Sequence, residues 1–304
     1  MKRYNYFFGL LLLLLFLYFT FNFVKEKGYF INLTYQVIVY ILLLKTISLI
    51  VNAIFNIEIL KVFDVNLDLK EGLYLSSVTF LGNLFLPGRS GGAIRLIYLN
   101  KIYKLKKEAL ISQFSYFFVI SLFVNTFFLI ICILALWEDE SLKSLLFAIS
   151  VIILFLIAAF LLFKGLKINS NKKNNKFFQI INKTKSDWQR IISESKIQKK
   201  LLFLTLFNFS IFYIETVVVL SNLFGEKNIF YLLFFNSSSL VGSLIGLTPG
   251  SLGLKEAFII FSSDFINFGI DKILSFSVVD RGASLLFSII PLIIILNFIR
   301  NRQR

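Results

Sequence analysis

Six runs of mostly apolar residues, at 6–24, 30–54, 109–136, 142–163, 201–223 and 273–299, limit what this chain can fold into. Each is about long enough for a helix to cross the ~30 Å hydrocarbon core of a bilayer, which takes ~20 residues. Lipid offers no water to the backbone, so such runs must satisfy their own N–H and C=O groups, and helices do this within one segment. The composition agrees: 57% of residues are hydrophobic and only 16% are charged, with a mean hydropathy of +0.80. Soluble domains carry ~25% charged residues. The first run follows Lys2 and Arg3. It is too long for a signal-peptide core, and no small-residue cleavage site precedes Lys25, so an uncleaved span is expected. The expected fold is an all-α polytopic membrane protein with six spanning helices in one membrane domain over 1–304. Its first half covers about 1–163, a basic linker about 164–200, and a second half about 201–304.

Some chemistry is excluded at once. The chain has no histidine and one cysteine, Cys132. Histidine acid–base catalysis, multi-cysteine metal sites and an intrachain disulfide are therefore out of reach. No Walker-type phosphate loop occurs, so the chain has no ATPase of that kind. We expect no catalytic residues, no metal, no cofactor and no enzyme activity.

The net charge of +15 reads as topology. Of the 32 basic residues, 22 fall in four places: the start, segment 88–108, segment 164–200 and the tail with Arg300, Arg302 and Arg304. The alternate loops are poor in them, with Lys25-Glu26-Lys27, Glu138-Asp139-Glu140 and Glu226-Lys227. Basic loops stay inside. Both termini are thus expected on the cytoplasmic side of the cell membrane, and nucleic acid is not an expected partner. In 164–200, Phe177, Phe178, Ile180, Ile181, Trp188, Ile191 and Ile192 are interspersed with Lys and Arg. That pattern suits a cytoplasmic linker, or a helix lying on an anionic leaflet.

Two further apolar stretches, 73–86 and 229–248, end in Pro-Gly. Aligned at Pro87 and Pro249, SSVTFLGNLFLPGRSGG and SSSLVGSLIGLTPGSLG share a serine pair, the glycines Gly88 and Gly250, and a second glycine, Gly91 and Gly253. The spacing predicts two broken hairpins, re-entrant if each returns to its own side. The first would follow a cytoplasmic connection and the second an outer one. Their orientations would then be opposite, as in the inverted repeats of secondary transporters. Irregular backbone at membrane depth lines a cavity or is buried in protein, so the cavity is expected at these six residues.

Charged residues near the turns point the same way. Arg89 and Arg95 follow the first turn, beside a helix start, which suits an anion such as a lipid phosphate. Lys255 and Glu256 follow the second. Asp280 and Arg281 lie inside the last run, where ionisable groups are costly and usually paired or facing a cavity. Neighbours on a helix point ~100° apart, so these two should pair elsewhere, Arg281 with Glu256 being one option. Lys45 and Glu215 also sit within spans and could line the same cavity.

The stretches LFLPGRSGGAIRLIYL, GLTPGSLGLKEAFII and DRGASLLF resemble the membrane domain of lysylphosphatidylglycerol synthases and the related flippase-like family, over roughly residues 5–300. The second motif of that family, P-G-x-x-G-x-R/K-E-A, is carried by Pro249, Gly250, Gly253, Lys255, Glu256 and Ala257. The first, P-x-R-x-G-G/E-x-x-R, is carried by Pro87, Arg89, Gly91, Gly92 and Arg95. The chain departs from the family at Gly92, where Glu is usual. It departs again at 114–120, FSYFFVI, where charged residues are usual, whereas the matching arginine of the second half is kept as Arg281. The full synthases attach an amino acid to phosphatidylglycerol with a soluble C-terminal domain. This chain has no room for one after its last run, so aminoacyl transfer is not expected.

The resemblance implies a protein that binds or translocates an anionic phospholipid or a polyprenyl-linked lipid between leaflets, without its own ATPase. The alternative is an accessory protein that presents a lipid-linked substrate to a separate biosynthetic enzyme. An integral-membrane glycosyltransferase would need acidic residues in the first outer loop, which has only Glu26.

Overall fold

The computed structural model describes residues 34–137, 142–164, 176–266 and 268–303, together with Tyr18 and Asn22. The expected span at 6–24 otherwise lies outside the described residues, as does the acidic loop at 138–140. The described residues form helices joined by short turns, with no strand among them. In chain order the helices are α1 (Tyr35–Lys61), α2 (Leu69–Phe85), α3 (Ser90–Tyr103), α4 (Lys107–Ala135), α5 (Leu142–Lys164) and α6 (Lys176–Ser193). They continue with α7 (Ser195–Phe224), α8 (Ile229–Ile245), α9 (Leu254–Phe261), α10 (Ile270–Phe287) and α11 (Ile289–Gln303). Five stretches are long and apolar enough to cross a membrane: α1, α4, α5 from Ser144, α7, and α10 with α11. They coincide with the second to sixth expected runs. The last run is not one uninterrupted helix. It is interrupted at Ser288, because Pro291 has no N–H for the Phe287 carbonyl four residues back.

The two Pro-Gly stretches behave alike. Helix α2 starts on Asp68, whose carboxylate accepts from Glu71 N at 2.7 Å, and α8 starts on Asn228, which accepts from Phe230 N at 3.0 Å. Both are side-chain N-caps. Each helix has 17 residues and ends just before its proline. In both turns the proline is followed by two residues with left-handed φ: Gly88 (65°) and Arg89 (52°), then Gly250 (56°) and Ser251 (56°). Each following helix, α3 or α9, packs against the one before it. Helix α9 has eight residues, about 12 Å at 1.5 Å per residue, and cannot cross a membrane alone.

Close backbone approach holds the first pair together. A Cβ on Gly91 would lie 2.1 Å from the Thr79 carbonyl oxygen, and one on Gly82 would lie 2.4 Å from Gly91 Cα. Asn83 Oδ1 accepts from Gly91 N at 3.1 Å, satisfying one orphan donor of the α3 N-terminus. Gly91→Ala is therefore expected to destabilise the protein by roughly 1–3 kcal/mol through overpacking. A thermal-shift midpoint equal to wild type would mean that α2 and α3 do not make this contact.

The turns also touch each other, with Gly88 N donating to Leu247 O at 3.2 Å. Around them α1 packs on α7, α4 on α8, and α2 on α11. Helix α6 does not offer its apolar side to lipid at Trp188 and Ile191. Both are buried, Trp188 meets Tyr116 edge-on at 5.6 Å, and its Nε1 donates to Leu161 O at 3.2 Å. The side chains of Phe177, Phe178, Ile180 and Ile181 lie outside the described residues.

Candidate functional site

The polar groups inside the spans converge. Lys45 on α1 contacts Glu215 on α7 and Asp280 on α10, both at 2.8 Å. Asp280 takes a second cation, Lys255 of α9, at 2.6 Å. The chain of charges Glu215–Lys45–Asp280–Lys255 thus joins four helices. Beside it Arg281 pairs with Glu256 at 2.6 Å, and its Nη1 donates to Gly250 O at 2.9 Å. Glu256 also accepts from Ser277 Oγ, and its Oε2 accepts from Gly253 N at 2.8 Å, capping α9. Asp280 and Arg281, adjacent in sequence, turn to separate partners as the helical ~100° step requires.

Arg89 differs from these cations. Its Nη2 donates to Ser243 O at 2.9 Å, one of the orphan carbonyls at the C-terminus of α8. Its guanidinium stands 5.9 Å over the Phe118 ring. Its side chain lies on Gly246, where a Cβ would come within 2.6 Å of Nε. Among the described residues it has no carboxylate partner. Arg95 is buried and donates to Asn56, which in turn donates to Ser76 at 3.1 Å. The Nε of Arg95 has no partner.

A cavity of about 360 Å³ lies among these groups, within the ~300–1,000 Å³ range of small-molecule sites. Its charged lining is Lys45, Arg89, Lys255, Glu215 and Asp280, three cations against two anions. An adjoining cavity of about 210 Å³ shares Lys45 and Arg89, adds Arg95, and has no acidic residue in its lining. The two Lys–carboxylate contacts of Asp280 and the Lys45–Glu215 contact nearly cancel one another. The uncompensated charge is on Arg89 and Arg95.

Of the residues singled out in the sequence, Arg89, Lys255 and Asp280 line the main cavity and Arg95 the adjoining one. Glu256 and Arg281 stand behind the Pro249 turn. Of the six turn residues expected around the cavity, only Gly250 lines it. Gly91 is taken up by the contact with α2, and Gly88 by the bond to Leu247. Gly253 caps α9, and Pro87 and Pro249 do not reach the cavity. Within 88–108, Lys101, Lys104, Lys106 and Lys107 are exposed, whereas Arg89 is half-buried and Arg95 is buried.

The profile of one family, described as the lysylphosphatidylglycerol synthase TM region, matches residues 6–291. The chain belongs to that family. The matched region is the transmembrane part of those synthases, and no synthase catalytic domain is found. No curated protein matches the chain significantly. In this family member the two motifs meet in space through the Arg89–Ser243 and Gly88–Leu247 bonds, which link the first turn to the end of α8. Sequence reasoning passed over Asn52, Asn125, Asn208 and Asn236, which line the cavity. The available signal was an amide side chain in the middle of an apolar run, where it must find a polar partner. Among the described residues no group of three His, Cys, Asp or Glu could hold a metal.

Proposed function

We propose that this protein holds the phosphate of an anionic lipid at Arg89 and passes it between leaflets, with no ATP hydrolysis of its own. The observation that carries this reading is Arg89 itself. It is an arginine in a cavity bounded by spanning helices, with no carboxylate partner among the described residues and a single hydrogen bond, to Ser243 O. Arginine's planar fork matches a phosphate bidentately. A charge of this kind inside a span region is costly unless it meets an opposite charge or a wet cavity. Arg95 extends the positive surface. Lys255, with Glu256 and Arg281 behind it, forms the facing half-site, and Asp280 holds Lys255 in place.

The spacing of the two motifs supports an inverted repeat and, with it, an alternating route. Pro87 and Pro249 are 162 residues apart. Shifted by that spacing, α1 falls on α7, α2 on α8, α3 on α9 and α4 on α10 with the start of α11, with ends agreeing within a few residues. The packing repeats as well: α4 lies on α8 as α11 lies on α2, while α1 and α7, which correspond, lie on each other. If α2–α3 and α8–α9 each return to their own side, the crossings of α4 and α5 make α7 run opposite to α1. The two re-entrant hairpins then rock against each other at the Gly88–Leu247 contact. The basic segments support cytoplasmic termini in a cell-membrane protein.

The test is dithionite quenching of labelled phosphatidylglycerol in vesicles holding the full chain. Arg89→Ala is expected to slow protein-dependent flipping by about tenfold or more, the worth of one charge-assisted pairing. Equal rates in wild type and Arg89→Ala would remove Arg89 from the lipid path. Wild-type vesicles no faster than empty ones, with phosphatidylglycerol still retained by the purified protein, would favour presentation of lipid to a separate enzyme.

A further inference from the structure

The cavity of about 210 Å³ beside the main one differs from it in charge. In the main cavity Lys45 and Lys255 are answered by Glu215 and Asp280 at 2.6 to 2.8 Å, so these four charges cancel. Arg89 and Arg95 are left, and among the described residues neither touches a carboxylate. Both line the smaller cavity, and no acidic residue does. Two uncompensated cations among spanning helices are costly unless a ligand or water answers them.

The donors that remain on this wall can be named. Arg89 spends Nη2 on Ser243 O at 2.9 Å, and its Nε and Nη1 make no hydrogen bond. Arg95 spends Nη1 on Asn56 Oδ1. Its Nε is sealed inside the protein, whereas Nη2 makes no hydrogen bond and is not sealed off with it. Asn83 lines both cavities. Its Oδ1 accepts from Gly91 N at 3.1 Å, and a backbone N–H only donates, so the end left over is the amide donor Nδ2. The smaller cavity thus offers N–H donors from two arginines and one asparagine.

Arg89 lines both cavities and Arg95 only the smaller one. A ligand held at Arg89 therefore has a second cationic wall in the adjoining space. A lipid phosphodiester carries one negative charge, answers one arginine and leaves the other bare. A diphosphate has ionised oxygens on both phosphorus atoms, each a strong acceptor for a guanidinium. We infer that the acid-free cavity is a second phosphoryl subsite, in which Arg95 and Asn83 donate to one phosphoryl group while Arg89 holds the other. The ligand class is then a lipid diphosphate. This rests on the lipid-phosphate reading above and specifies its substrate class. A free phosphate ion beside a lipid monophosphate has the same chemistry, and the test separates the two sources.

Full-length protein in phosphatidylcholine nanodiscs is titrated with diacylglycerol diphosphate, phosphatidic acid and phosphatidylglycerol of identical acyl chains. Farnesyl diphosphate and farnesyl phosphate form a second arm for a polyprenyl carrier. At least one diphosphate is expected to bind about tenfold or more tighter than its own monophosphate, the worth of one further charge-assisted pairing. Phosphatidylglycerol is expected to bind more weakly than that diphosphate. A third arm repeats the monophosphate titrations with inorganic phosphate present. Monophosphate binding tightened by inorganic phosphate, with no advantage for either diphosphate, keeps the subsite and assigns it to the free ion.

Arg95→Gln and Asn83→Asp, each checked for a monodisperse elution profile, are expected to bring the ratio of diphosphate to monophosphate binding close to one. Asn83→Asp keeps an acceptor for Gly91 N and removes only the donor, so it reports on the subsite even where Arg95→Gln does not fold. Equal binding of diphosphate and monophosphate by wild type, with no gain from inorganic phosphate, overturns the second subsite and leaves the lipid-phosphate reading standing. A ratio unchanged by the folded variants also overturns it. Failure of every anionic lipid to bind overturns both.

Discussion

Arg281→Leu is expected to destabilise the protein by about 3–5 kcal/mol, the usual result of removing one partner from a buried ion pair. Arg281 and Glu256 are 2.6 Å apart, with side chains 5% and 4% exposed. Without the guanidinium, Glu256 stays charged among apolar neighbours with only Ser277 and the Gly253 amide to serve it. Gly250 O also loses its donor, in the one Pro-Gly residue that lines the cavity. The double variant Arg281→Leu/Glu256→Gln removes both charges and should recover more than half of the loss, since a neutral pair has no uncompensated charge to desolvate. Unfolding of the full chain in mixed micelles with SDS measures both. A single variant as stable as wild type, or a double variant no better than the single, would show that the pair does not hold the second turn.

Lys45→Met is expected to cost a similar amount, about 3–5 kcal/mol, for a different reason. Lys45 is the shared cation of two carboxylates, each at 2.8 Å. Asp280 keeps Lys255 after the substitution. Glu215 is 3% exposed and, among the described residues, has no cation in contact besides Lys45. The loss should therefore fall on Glu215, and Glu215→Gln in the Lys45→Met background should recover most of it. Asp280→Asn in that background should recover little, because it strips Lys255 of its partner. The same unfolding assay ranks the three proteins. Equal rescue by the two second-site changes would contradict the assignment of Glu215 as the dependent partner. For the proposed lipid transfer, Lys45→Met should slow flipping by about tenfold or more, since Lys45 joins α1 to both α7 and α10 around the cavity.

Much of the site was legible in part. Proline and glycine positions located both turns, because a missing N–H and a left-handed φ are local requirements. The Glu256–Arg281 pair was legible because Glu256 lies in the second motif and Arg281, 25 positions on, sits in a run where a charge needs a partner. The Lys45–Asp280 contact spans 235 positions, and nothing in either segment names the other. Arg95 read both as a candidate anion ligand and as one more basic residue of a cytoplasmic segment. Its burial beside Asn56 follows from how α3 folds back on α2, through Gly82 and Gly91. Trp188 and Ile191 fitted an interfacial helix by pattern alone. An apolar stripe fits a protein surface as well as a lipid one, and here α4 and the end of α5 supply it.

The amino-acid sequence determined the helical class, the second to sixth spans and the two breaks, because lipid forces each backbone segment to satisfy itself. Those are constraints within a segment, so they are written in consecutive residues. Which charges meet was decided only when the helices packed. Lys45, Glu215, Asp280 and Lys255 come from four helices, and their pairing depends on distances of 2.6 to 2.8 Å that no segment controls alone. The same packing left Arg89 without an acid among the described residues. The charge of the cavity is thus a property of the tertiary structure, set by which charged groups pair across helices.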